Sequence, residues 1–249
     1  MLPTLRPLLA DLHLHTVLSA CAEVEMIPPL IVREARRRGL GLIAVTDHNA
    51  MANAPAVMQA AQGSGVTVWP GLEVQSREEV HLVCLFDTVA QAEALQAIVW
   101  DRLPPLRNRE EFFGAQYVVD STGDYRYTEE RLLQTSADLS VEQVATETER
   151  LGGLCIPAHV DRPSFSLLAN LGFVPPDTGF LALEISRLVT PAQARVRFPA
   201  IGDYPLIVSG DAHRLSEIAS RTLLKVSAPT VAELRLALRG QDGRMVKVE

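Results

Sequence analysis

Residues 8–15 read LLADLHLH, a stretch that opens apolar and then alternates, as a strand does when its last residues send side chains to opposite faces in turn. On an extended segment positions i and i+2 face the same way, so His13 and His15 share a side. Downstream, residues 27–38 (IPPLIVREARRR) carry prolines near a helix start and end at Gly39, the usual stop residue. Residues 40–45 read as a short buried strand, 51–65 as a second helix closed by Gly63 and Gly65, and 66–74 as a β-branched, apolar strand. This βαβα rhythm predicts an α/β fold built on a parallel sheet or barrel.

The rhythm then changes. Seven residues separate Glu73 from His81, whereas a parallel crossover needs about a dozen or more, so a hairpin is expected. It returns the start of the next strand to the rim where Glu73 sits. Residues 87–135 hold a helical run, AQAEALQAIVWDRL, then Pro104 and Pro105, then a polar and aromatic segment through Phe112, Phe113, Tyr117, Tyr125 and Tyr127. They read as an insertion after the fourth strand, either a packed subdomain or a lid over the barrel mouth. Ser140 with Gln143 forms a capping-box pattern opening a helix to Leu151, and residues 151–159 (LGGLCIPAH) restore the turn, strand and terminal histidine. Further strands are expected at 180–185, 206–209 and 223–226, with a last helix at 231–238, all in a single domain spanning 1–249.

Composition excludes several classes. With 249 residues, 47% of them hydrophobic, and a mean hydropathy of +0.12, the chain is no disordered polymer. A net charge of -7 advertises no basic surface, so a long nucleic acid or an anionic membrane is not the expected partner. Cys21, Cys84 and Cys155 form no C-x-x-C pair and fit a reducing compartment. No signal-peptide core and no apolar run of about 18 residues is present, so a cytoplasmic protein outside the membrane is expected.

The six histidines are His13, His15, His48, His81, His159 and His213. Five lie at or just past the end of an expected strand, and the hairpin returns His81 to the same rim, where sites of parallel sheets are built. Carboxylates accompany them: Asp11, Asp47, Glu73, and Asp211 two residues before His213. Asp47 and His48 point oppositely on a strand. His48 is therefore read as a metal ligand, and Asp47 as a group that orients an imidazole or caps the loop. Nitrogen and carboxylate ligands suit zinc, manganese or iron, and the set His13, His15, His48, Glu73, His81, His159, Asp211 and His213 exceeds what one ion can use. Two or three divalent ions are implied, with Glu73 as a bridge, and such a site makes hydroxide at neutral pH.

These residues fall in ordered motifs: DLHLHT from Asp11, TDHN from Thr46, GLEV from Gly71, VHLV from Val80, IPAHV from Ile156 and SGDAH from Ser209. The series resembles the PHP (polymerase and histidinol phosphatase) superfamily of metal-dependent phosphoesterases. The resemblance implies a distorted (βα)7 barrel. It also implies His13, His15, Glu73 and Asp211 around one metal, Glu73, His81 and His159 around a second, and His48 with His213 around a third. Ala20 and Cys21 stand where family members often carry an aspartate or histidine; Cys21 is either a thiolate ligand or a small buried cysteine. The family's AHP reads AHV here and is followed by Asp161 and Arg162. Arg162, read as a bidentate phosphate ligand or as the partner of a nearby carboxylate, joins Asp47 as a candidate catalytic residue outside the ligand set.

The expected activity is hydrolysis of a small phosphomonoester (a sugar, amino-alcohol or nucleotide phosphate) by a metal-bound hydroxide. Three alternatives remain: a nuclease on short oligonucleotides, an amidohydrolase-like C–N hydrolase, and a metal-binding domain without activity. The C–N hydrolases often use a barrel lysine, and the only lysines, Lys225 and Lys247, follow the last histidine.

Overall fold

The order of the first strands follows from the apolar, β-branched runs that alternate with helices. In the computed structural model, which describes residues 4–219 and 221–248, β1 (Arg6–Leu14), α1 (Pro28–Arg37), β2 (Leu42–Val45), α2 (Ala54–Ala60) and β3 (Thr67–Gln75) succeed one another. β1, β2 and β3 pair in parallel, Ala10 opposite Leu42 and Leu42 opposite Thr67. β4 (His81–Leu85) turns back antiparallel on β3 with Gln75 opposite His81, the expected hairpin. Then come α3 (Val89–Arg102), α4 (Glu110–Phe113), β5 (Tyr117–Val119), β6 (Tyr125–Thr128), α5 (Val141–Arg150) and β7 (Leu154–Pro157), the last antiparallel to β4 and so parallel to β3. α6 (Leu167–Asn170), β8 (Leu183–Ile185), α7 (Pro191–Arg197), β9 (Leu206–Val208), β10 (Thr222–Val226), α8 (Val231–Leu238) and β11 (Met245–Val248) complete the chain.

The main sheet runs β11-β10-β1-β2-β3-β4-β7, and β8 with β9 forms a separate parallel pair. That pair bridges the two flanks. Val160, just past β7, donates its N–H to Glu184 O at 2.8 Å, and Ala212, past β9, bridges in parallel to Leu14 of β1. The curled sheet and this pair make the distorted barrel, with β10 and β11 added beside β1. One apolar cluster, with Leu12, Leu42, Ala44, Val83, Leu85 and Ile156, carries α8 against it; a larger one packs Ile43, Val45 and Cys84 against α1, α3 and α5. Alternation along each strand produces these two sides.

The strand expected at 180–185 begins only at Leu183, and α7 and β11 were not among the expected elements, although Thr190 and Gln193 form a capping box that opens α7. The capping box at Ser140 and Gln143 is formed, as is α8 at its expected limits. Within 87–135, Trp100 donates to Asn49 O at 2.8 Å, and Asn49 Nδ2 donates to the carbonyls of Leu133 and Thr135 at 2.7 and 2.8 Å. Val118 and Leu133 share a small cluster with Leu18 and Ala50. The segment thus packs on the loops that follow β1 and β2.

Close strand approach explains Gly71 in the centre of β3: a Cβ there would stand 2.6 Å from Cys84 O and 3.1 Å from Thr46 Cγ2. Gly71→Ala is expected to destabilise the protein by about 1–3 kcal/mol, read as a lower urea midpoint at unchanged slope.

Candidate metal centre

All eight proposed ligands gather at one rim. His13 lies in the last turn of pleat of β1 and His15 just beyond it; His48 follows β2, Glu73 lies near the end of β3, His81 opens β4, His159 follows β7, and Asp211 and His213 follow β9. A register shift between Asp11 and Leu14 interrupts the β1–β2 ladder where His13 is delivered, and such irregularities re-aim side chains beside sites. Asn49, His159 and Asp211 have φ of 50°, 30° and 44°, sparsely populated backbone that persists where surrounding contacts enforce it.

Three sets of ligand atoms each lie within 4.8 Å of one another: His13, His15, Glu73 and Asp211; His48, Glu73 and His81; and His15, His48 and His213. The first is the quartet that the motifs suggested. The second carries His48 where the resemblance placed His159, although His159 Nε2 remains 3.2 Å from Glu73 Oε1. The third adds His15 to His48 and His213. His13 Nε2 lies 3.2 Å from Glu73 Oε1 and 3.3 Å from Asp211 Oδ1, while His15 Nε2 is 3.3 Å from Asp211 Oδ1. His81 Nδ1 and His48 Nδ1 each approach a Glu73 oxygen at 2.9 Å.

Two observations say that this donor set fits divalent cations. Buried Glu73 Oε2 and His159 Nδ1 make no hydrogen bond of acceptable geometry, a state that costs about 1–3 kcal/mol per group unless another partner takes the lone pair. His13 Nε2 and His15 Nε2 converge to 3.3 Å, nitrogen facing nitrogen, with their other ring nitrogens engaged behind them. The N and O donors suit zinc, manganese or iron.

Electrostatics agree. Burial opposes charge on His13, but Glu184, Glu73 and Asp211 outweigh it and hold its pKa well above the usual value. Burial opposes charge on His15 too, yet Asp211 and Glu73 raise its pKa to about 9. Burial and then the charge on His15 push His48 down to about 4 and His213 to about 3. Glu73 and Asp211 stay ionised against their burial because the imidazoles surround them. The carboxylates of the rim thus favour positive charge at His13 and His15.

Residues around the ligands orient them. Glu184, in β8, was not singled out in the sequence; its signal was a lone acid in the apolar run FLALEI. It is buried, 3.0 Å from His13 Nδ1, and accepts from His159 N at 3.2 Å. A carboxylate behind a ligating imidazole fixes its tautomer. Ser19 Oγ lies 2.9 Å from His15 Nδ1 and donates to Asp47 Oδ1 at 2.7 Å. Asp47 is fully buried and also accepts from Thr16 N and Oγ1, each at 2.7 Å. Both its oxygens are thus turned to the loop, and it acts on His15 through Ser19. Asp11 lies outside the three ligand sets and receives Gly210 N at 2.8 Å and Ala219 N at 3.1 Å; burial pushes its pKa up to about 7. Cys21 is exposed, which corrects the buried-cysteine reading; its Sγ lies 3.4 Å from His48 Nε2, outside the three sets.

Arg162 pairs with Asp211, Nη1 to Oδ2 at 2.5 Å, and stands at the mouth. It lines a cavity of about 590 Å³ with His48, Glu73, His81, His159, Asp211 and His213; Gln134, Thr135 and Ser136, between β6 and α5, line the same wall.

The profile of the PHP domain family matches residues 11–169. No curated protein sequence matches the chain. Among solved structures, the lesion-specific endonuclease Q of Pyrococcus furiosus superposes with a TM-score of 0.71 at 21% identity, over 97% of this chain and 58% of that one. Endonuclease Q in complex with a 27-mer duplex substrate bearing an abasic lesion gives 0.69 at 20% identity, over 96% and 58%. A Bifidobacterium adolescentis protein assigned as a metal-dependent phosphoesterase gives 0.55 at 18% identity, over 82% and 87%. The chain therefore spans just over half the length of the endonuclease Q chains and most of the length of the third protein.

Glu184→Gln should weaken Mn or Zn binding roughly 10–100-fold with little loss of fold, measured by metal titration beside circular dichroism. Because, against burial, Asp211 and Glu73 raise the His15 pKa to about 9, a cation binding at this imidazole would have to displace a proton below that pH. Cation affinity is therefore expected to rise as pH increases from about 6 toward 9, with proton release on binding, measurable by calorimetry in buffers of different ionisation enthalpy.

Proposed function

Because the chain belongs to the PHP domain family, matched over residues 11–169, we propose that it is a metal-dependent phosphoesterase hydrolysing a small phosphomonoester. The observation that carries this reading is the quartet of His13, His15, Glu73 and Asp211, whose ligand atoms lie within 4.8 Å of one another, with Glu73 and Asp211 on the wall of the cavity that Arg162 also lines. That quartet is the proposed holder of one divalent ion, with His48, Glu73, His81 and the adjoining His159 for a second and His15, His48 and His213 for a third. When bound, zinc, manganese or iron ions would lower the pKa of water and neutralise charge on phosphoryl oxygens.

The chain's own groups supply position. Glu184 and Ser19 keep the Nε2 atoms of His13 and His15 turned inward, and Asp47 holds Ser19. Arg162, steadied by Asp211 and about 39% exposed at its side chain, presents a planar fork suited to a phosphate. Bound divalent ions would supply the positive charge for an anionic substrate that a protein of net charge -7 otherwise lacks in its overall balance. Among the described residues no helix is long and apolar enough to cross a membrane.

A second reading, cleavage of a phosphodiester in a nucleic-acid strand, is favoured by the likeness to endonuclease Q. The absence of a net basic balance works against a long duplex.

The test is elemental analysis of the purified protein joined to p-nitrophenyl phosphate hydrolysis before and after chelation and re-addition of Mn or Zn, with oligonucleotides as a parallel substrate. At least two metals per chain and chelator-sensitive phosphatase turnover are expected. His13→Ala and Asp211→Ala should each lose metal and at least about 100-fold in turnover while remaining folded, and Arg162→Ala should raise KM more than it lowers kcat. Full activity in His13→Ala at unchanged metal content would overturn the assignment. Metal-dependent cleavage of oligonucleotides alone would transfer it to the second reading, and bound metal without either activity would point to C–N hydrolysis or a non-enzymatic domain.

A further inference from the structure

One loop, following β7, supplies both His159 and Arg162 and also an aromatic ring to which the proposed chemistry gives no task. Phe165 stacks on His81 with centroids 4.9 Å apart and planes 19° from parallel, and the residue is 42% exposed on the cavity lining. An apolar ring in contact with water normally has a cheaper place to go. Here its backbone has φ of 53°, an outlier for a bulky residue, and the loop is tied down around it. His81 N donates to Phe165 O at 3.0 Å, Ser166 Oγ donates to Arg162 O at 2.7 Å, and Asn170 Nδ2 donates to the carbonyls of Glu78 and Glu79 at 2.7 and 3.0 Å. Backbone strain of this kind is held by such contacts and clusters at ligand sites.

The cavity is also larger than a phosphoryl group requires, its 590 Å³ falling in the range that takes a whole small molecule. Gln75, Gln134 and Ser136 line it with amide and hydroxyl groups, and Gln75 Nε2 donates to Ser136 Oγ at 3.0 Å. An aromatic face, hydrogen-bonding amides and a guanidinium beside the candidate metal ligands together suit a ligand with a flat polar ring at one end and a phosphate at the other.

We infer that Phe165 is a specificity-determining residue, a stacking platform for a planar heteroaromatic ring carried by the phosphoester, as in a nucleoside monophosphate. The ring lies against Phe165, its hydrogen-bonding edge meets the Gln75 and Gln134 side, and its phosphate lies toward Arg162. This rests on the phosphoesterase reading for the identity of the anionic end, but the ring preference is a property of binding and is measured without turnover.

The experiment uses Mn-loaded protein and calorimetric titration with hydrolysis-resistant phosphonate analogues of adenosine 5′-monophosphate and of ribose 5-phosphate. The adenosine analogue is expected to bind roughly tenfold tighter, the scale of one base-aromatic stack. Phe165→Ala should remove most of that margin while changing the ribose analogue's Kd less than about twofold, and Phe165→Trp should retain the margin. Equal affinities in the wild type, no binding of either analogue, or an equal loss for both in Phe165→Ala, as a role confined to supporting His81 predicts, each overturns the inference. A wild type that keeps the ring preference but hydrolyses no phosphoester defeats the proposed function and leaves this inference standing. Hydrolysis without ring preference does the reverse.

Discussion

Five of the six imidazoles approach the Glu73 carboxylate within 3.4 Å, and the carboxylate is 1% exposed. A buried anion with no compensation costs several kcal/mol, and truncating its partners leaves that cost in place. Much of the barrel rim is organised around meeting this one charge. The short hairpin from β3 to β4 returns His81 to it, the irregularity in β1 turns His13 toward it, and the left-handed backbone at His159 places a third imidazole beside it. Imidazoles alone satisfy the carboxylate incompletely, since Oε2 makes no hydrogen bond. His48, His81 and the quartet of His13, His15, Glu73 and Asp211 could hold divalent cations, which would complete the same charge balance without requiring protons on the histidines.

The supports behind the ligands are as specific as the ligands themselves. Glu184 serves both His13 and the His159 backbone, so the β8–β9 pair is joined to the strands it faces through this side chain as well as through the Val160 N–H to Glu184 O bond and the isolated Leu14–Ala212 bridge. Asp47 is hydrogen-bonded toward His15 through Ser19, which ties the loop after β1 to the loop after β2. Gly210 is tightly packed on the far side: a Cβ there would stand 2.7 Å from Asp11 Oδ2 and 2.8 Å from Glu217 O. Rigid ligand placement therefore depends on several elements far apart in sequence.

The loop that carries His159, Arg162 and Phe165 joins the candidate metal centre to the part of the cavity where a substrate's organic portion would lie. Of its positive-φ residues, Phe165 accepts at its carbonyl from His81 N in β4 and His159 donates its N–H to Glu184 in β8, while Asn170 ties the following α6 to the β3–β4 turn. The wall formed by Gln134, Thr135 and Ser136 comes from the stretch between β6 and α5, which Asn49 anchors to the histidine-bearing loop after β2. Recognition and chemistry thus share supports.

The eight proposed ligands were legible because period-two alternation, strand-end position and the short β3–β4 link are local properties that need no partner to be read. The α/β class, the hairpin, the capping box at Ser140 and the limits of α8 were legible for the same reason. Glu184 was not, because a single acid in an apolar strand acquires its purpose only when β8 lies beside β1 and β7. Asp47's connection through Ser19, the exposure of Cys21, and the sharing of His15 and His48 between neighbouring ligand sets were likewise decided by packing. So was the position of Phe165, whose unusual backbone has no signature in SFSLL. By itself the sequence determined which histidines and carboxylates come to one rim as candidate ligands, through local periodicity and turn length. Tertiary structure decided how they are grouped and held, because distances between side chains on different strands depend on barrel curvature and loop conformation, which no short stretch of sequence encodes.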